Sequence, residues 1–156
     1  MKKSVCIFCL VLIFISCKNE KEGDRSPDSA TLVVPDSLLV YEVDAESKTK
    51  KPFTEIPGDS ITVQHVVNGL NQKYPEVQMQ VLKVGNDTVY VTFSDNGEFL
   101  GERMGSAGSS AYIADAILNL TGVKGINAVR IEMPRHSHVS PGVFTKQNFQ
   151  DFKEVQ

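Results

Sequence analysis

A chain of 156 residues with a net charge of −3 and a pI near 5.6 holds one ordinary domain, and its lysines are scattered among acids. No basic face forms, so nucleic acid is not an expected partner. Trp is absent, and the three cysteines, Cys6, Cys9 and Cys17, all fall at the amino end, which leaves the rest without disulfides, thiol catalysis or a cysteine zinc site.

The chain opens with Lys2 and Lys3, followed by an apolar run from Val5 to Ile15. That is the layout of a secretory signal, and the run is too short to span a bilayer. Leu12-Ile13-Phe14-Ile15-Ser16-Cys17 resembles a bacterial lipobox. Cleavage before Cys17 makes it the lipidated first residue, and several acyl chains of palmitate type at about 0.8 kcal/mol per buried CH₂ anchor it firmly. The alternative is an ordinary signal peptide with an incidental cysteine. The predicted organisation is a signal peptide over 1–16, lipidated Cys17 with a flexible tether over 17–30, and an α/β domain over 31–156. The tether is charged and lacks aliphatic or aromatic residues, which reads either as plain solvation or as an export signal of surface-displayed lipoproteins. Location is then the cell envelope, with the outer membrane or cell surface favoured.

Order is expected from about Thr31. Leu38 to Val43 reads as a first strand, and 45–57, polar and broken by Pro52 and Pro57, as a loop. Asp59 or Ser60 is placed to cap a helix whose buried face is Val63, Val66, Val67, Leu70 and Tyr74, stopped by Pro75. Val77–Val81 and Val89–Phe93 alternate around the turn cluster Gly85-Asn86-Asp87 and predict a hairpin. A loop runs to Gly105. From Ser110 a second helix presents Ile113, Ala114, Ile117, Leu118 and Thr121, with Gly122 as its C-terminal glycine. Ala128–Met133 is the last clear strand. The predicted fold is α+β: one small domain of order β-α-β-β-α-β, a mixed sheet with two helices packed on one face. The tail from Pro134, with Phe144, Phe149 and Phe152, is expected to fold back over the core or an open sheet edge, though an interaction surface is the alternative.

Thr92-Phe93-Ser94 ends a strand, Gly105-Ser106-Ala107-Gly108-Ser109 leads into a helix from Tyr112 to Thr121, and Gly122-Val123-Lys124-Gly125-Ile126 precedes the strand Ala128–Ile131. Over about 89–133 this order and spacing resembles the GerMN ("germane") domain of envelope lipoproteins. The resemblance implies a small α/β domain that joins or builds envelope assemblies, and it implies no catalytic residues.

Three groups of side chains carry candidate chemistry. Gly105, Ser106, Gly108, Ser109 and Ser110 sit where a helix begins and can cradle an anion through free backbone N–H groups; a capping loop with Ser109 or Ser110 as cap is the alternative. His136 and His138, two apart, point the same way in extended chain and can hold zinc or copper, against the plainer reading of a polar loop whose histidines bond to backbone or water. Glu98, Glu102 and Arg103 lie in a loop with no apolar pocket to tune them, and His65 falls beside the apolar stripe of the first helix. No catalytic residue and no cofactor is assigned. The expected function is a non-catalytic, lipid-anchored envelope protein that binds another envelope protein or assembles with itself. The alternatives, in order, are a peptidoglycan- or polysaccharide-binding module, with Tyr41, Tyr74, Tyr90 and Tyr112 as its aromatic candidates, and a small hydrolase.

Overall fold

A computed structural model describes residues 34–53 and 59–156. The signal, Cys17, the tether, the start of order at Thr31 and residues 54–58 of the expected loop lie outside the described residues.

The fold is α+β. Its larger sheet has four strands in the order β3-β4-β5-β6: β3 (Met79–Gly85), β4 (Thr88–Phe93), β5 (Ala128–Ile131) and β6 (Gly142–Thr145). The hairpin β3–β4 closes through Asn86 and Asp87, with Asn86 in the left-handed region at φ 53°. β4 and β5 run parallel, and β6 returns antiparallel. Period-two alternation sends Val89, Val91, Phe93, Val129 and Ile131 to one face, where all are buried. There they join Val66, Val67 and Leu70 of helix α1 (Val63–Lys73) and Tyr112, Ile117 and Leu120 of helix α2 (Gly105–Leu120) in one cluster. The opposite face carries the row Lys83–Tyr90–Arg130–Val143.

The first strand does not join that sheet. Strand β1 (Tyr41–Asp44) pairs antiparallel with β2 (Thr49–Pro52), and β2 pairs parallel with β7 (Lys153–Glu154). The single mixed sheet is thus corrected to two. Part of the expected 45–57 loop is strand β2, which polarity and Pro52 concealed. The turn before it is held by the Asp44 carboxylate, which accepts from the N–H groups of Glu46 and Ser47 at 2.9 and 3.1 Å, and Lys48 takes φ 51°. Leu38 and Leu39 are buried but precede the strand.

α1 is capped by Thr62, not by Asp59 or Ser60. The Thr62 hydroxyl accepts from the His65 N–H at 3.2 Å, and the Thr62 N–H donates to His65 Nδ1 at 3.3 Å, so His65 closes a capping box. After β4 the expected loop contains a single π turn, Phe99–Arg103, closed by the Met104 N–H on the Phe99 carbonyl at 2.9 Å. Gly105, at φ 76°, then turns the chain directly into α2. At the far end Gly122 has no positive φ. A Cβ there would lie 2.8 Å from Val40 Cγ1, so close packing under the chain entering β1 explains that glycine. The tail does fold back: it supplies β6 and β7, with Phe144 and Phe149 packed against the core.

Candidate functional site

The expected Gly105–Ser110 loop is helix. Met104 occupies the cap position without a side-chain bond, so neither Ser109 nor Ser110 caps α2. The buried Ser109 hydroxyl faces the carbonyls of Leu100 and Gly105, at 2.7 Å from the latter, and ties the π turn to the helix. Gly108 makes room for the Met104 side chain, whose Cγ would be 2.8 Å from a Cβ there. Ser and Gly read locally as loop because their helix propensity is poor.

Two adjoining clefts flank the ring of Phe149 above this helix. One, of about 730 Å³, is lined by Ala107, Gly108, Ser110, Ala111, Phe149 and Phe152, with Glu46 and Asn148 on its rim. The other, of about 310 Å³, has Ile113, Phe144 and Phe149 as apolar lining and Ser110, His138 and Ser140 as polar lining. The structure therefore brings Gly108, Ser109 and Ser110 together with His138, and leaves Gly105 and Ser106 outside both clefts.

His136 and His138 do not act as a pair. His136 lies against Gly101, with Nε2 at 2.9 Å from the Asn96 carbonyl and Nδ1 at 3.4 Å from Glu102. His138 is exposed, and only its backbone N–H bonds to Gly101 O, at 3.1 Å. The chain between them is bent rather than extended, which removes the shared direction. Among the described residues no three His, Cys, Asp or Glu side chains gather where a metal ion could sit.

Glu102 is a fastener. It accepts from the Ser137 N–H at 2.9 Å and from the Ser137 hydroxyl at 2.8 Å, and these bonds, with smaller help from His136, hold its pKa below the ordinary 4.5. A lowered folded-state pKa contributes stability that is present above the ordinary value and lost as pH falls through the lowered one. The 134–139 segment is therefore expected to loosen in acid. Thermal melts should show Glu102→Gln less stable than wild type near pH 6, with the gap closing as pH falls below 4.5.

Sequence reasoning missed a buried polar cluster. The Asp115 carboxylate, 1% exposed, accepts from Lys73 Nζ at 2.6 Å, the Tyr74 hydroxyl at 2.8 Å and Asn119 Nδ2 at 2.8 Å. Asn119 also accepts from the Tyr41 N–H at 2.7 Å and donates to the Tyr41 carbonyl at 3.1 Å, so it acts as a strand partner for β1. Burial first, then the Asp115 charge, raises the Tyr74 pKa. The Tyr112 hydroxyl is buried without a partner, and burial followed by the Asp115 charge raises its pKa too. The available signal was the pair Asp115 and Asn119, four apart within an otherwise apolar helix, hence on one face. The cluster joins α1, α2 and β1, which is a structural task.

Compared with models of known protein families, with curated proteins and with solved structures, the chain finds no match in any.

Proposed function

We propose that this chain is a non-catalytic, lipid-anchored envelope protein of GerMN-like type, whose domain docks another envelope protein or a second copy of itself. One observation supports docking above all. Among the described residues the large exposed hydrophobics are Phe53, Leu82, Val84, Val143 and Val155, and three of these five sit on the two edge strands of one sheet. Leu82, Val84 and Val143 are each about half exposed, at 51%, 52% and 52%. They do not form one patch: Val84 lies opposite Val89 and so on the core side of β3, whereas Val143, opposite Arg130, stands on the outer flank, and this exposed apolar side chain beside Arg130 and Tyr90 is what supports docking there.

The partner covers the flank rather than adding a strand. Edge β3 is interrupted by a bulge at Leu82 and carries Lys83, two devices that resist edge pairing, and edge β6 has only four residues. The flank row Lys83–Tyr90–Arg130–Val143 offers a ring with Lys83 Nζ 4.4 Å from its centroid, an exposed Arg and an exposed Val. Aromatic and Arg side chains with apolar neighbours are what interface centres favour. The lipid on Cys17 would confine the search to the envelope surface and raise the local concentration of partner. No helix of the described residues is long and apolar enough to cross a membrane.

Affinity capture from solubilised membranes tests this. Wild type should retain a dominant envelope protein, or a second tagged form of itself. The surface variants Val143→Glu and Leu82→Glu should lose it with melting behaviour unchanged, since exposed substitutions usually stay within about 0.5 kcal/mol. Equal capture by wild type and both variants would contradict the assignment to this sheet.

A further inference from the structure

We propose that the trough over the N-terminal half of α2 binds a short neutral oligosaccharide, at a site separate from the sheet flank. The two clefts share Phe149 and Ser110 and so form one elongated depression, with the Phe149 ring between its halves. At about 730 and 310 Å³ each half falls in the range of small-ligand sites.

The lining suits a pyranose better than a peptide side chain or an anion. A sugar ring presents an apolar C–H face and a rim of hydroxyls, so it asks for a flat apolar surface edged by small polar groups. Phe149 is half-buried, with Phe152 edge-on to it at 6.0 Å between centroids, which fixes the plane of the platform. Ala107, Gly108 and Ala111 project nothing that would hold a ring away from the helix. Around them stand Ser110, Ser140 and His138 on one side and Asn148 and Glu46 on the other. These groups donate and accept in the short, adaptable way that hydroxyls need.

Charge argues for neutrality of the ligand. The one cation of the trough, Lys48, is engaged by Asp151 at 2.5 Å, and Glu46 adds a negative rim. A phosphorylated or uronic sugar would meet no free cation among these lining residues and would face a carboxylate. Absence of Trp leaves Phe149 as the platform, and weak binding in the millimolar range is the expectation for a single stacking ring.

The test uses the full-length protein in detergent, with chitotetraose and cellotetraose as probes and saturation-transfer NMR of the sugar as readout. Wild type should transfer saturation to at least one probe at concentrations up to about 10 mM. A response to chitotetraose alone points to cell-wall glycan, and one to cellotetraose points to a neutral glucan of an extracellular polysaccharide. Phe149→Ala should weaken binding about tenfold, the loss of a stacking ring. Because that change also touches the core, Ser110→Leu is the second variant: the position is exposed, and the larger side chain fills the trough without disturbing the sheet. No transfer to either probe, or transfer unchanged in Ser110→Leu with its fold intact, would overturn the proposal. Since the flank variants at Val143 and Leu82 lie outside both clefts, they should bind the probes normally, so the two assignments can fail separately.

Discussion

Replacing Asp115 by alanine is expected to destabilise the domain by about 3 kcal/mol, at the lower end of the 3–5 kcal/mol typical of a broken buried ion pair. The carboxylate is 1% exposed and holds three donors from two helices. Its removal leaves the Tyr74 hydroxyl short of an acceptor, beside a Tyr112 hydroxyl that already lacks a partner, while Asn119 Nδ2 keeps the carbonyls of Tyr41 and of residue 115. Buried polar groups stripped of partners cost about 1–3 kcal/mol each. Lys73 tempers the loss, because its side chain is 36% exposed and can turn its ammonium to water. Chemical denaturation should report the change directly, and a melting temperature lowered by about 10 °C or more should accompany it. Asp115→Asn keeps the size of the group and an oxygen for Tyr74 while losing the ion pair with Lys73, so it should fall between wild type and alanine. If Asp115→Ala is as stable as wild type, the cluster does not hold β1 to the helices in the way described.

The second large effect is expected at Gly101. A Cβ on this residue would lie 2.2 Å from His136 Cβ and 2.5 Å from Cγ, far inside van der Waals contact, and neither is the free end of a flexible chain. Gly101→Ala must therefore displace the π turn or the 134–139 segment. Overpacking costs about 1–3 kcal/mol and sometimes more, and the depth of this overlap places it at the top of that range. Displacement also breaks the bonds from Glu102 to Ser137 and from His138 N–H to Gly101 O, so the lining of the smaller cleft should shift. Adding His136→Gly should recover part of the stability by removing the obstructing atoms, despite losing the His136 bond to Asn96. Melts of the single and double variants check this. A double variant no more stable than Gly101→Ala would show that the cost arises elsewhere.

Much of the core was legible because periodicity reports burial. The alternation of Val89, Val91 and Phe93 and the spacing of Val66, Val67 and Leu70 place the same side chains in the core that the structure buries. Strands β2, β6 and β7 were not legible: all three are short, β6 and β7 lie at sheet edges, and the polar central strand β2 is closed on one side by β7 from a distant part of the chain, as Lys50 is by Glu154. In such strands pairing, not pattern, decides. The caps failed for a related reason: Asp59, Ser60 and Thr62 are all good N-cap residues, and the reciprocal bond from His65 selected Thr62. At the candidate site, the sequence singled out Ser110 and His138 but read a loop where the structure has the first turns of α2. Phe149, which separates the two clefts, could not be placed at all without the path of the tail.

The proposed docking of a protein partner on the flank of the four-stranded sheet is open to photo-crosslinking in living cells, from a reactive residue at position 143 of the full-length chain with one at exposed position 76 as reference. The expected result is one dominant protein adduct, or a self-ladder, from position 143 and not from position 76. Background-level adducts from position 143, or the same adducts from both positions, would contradict it.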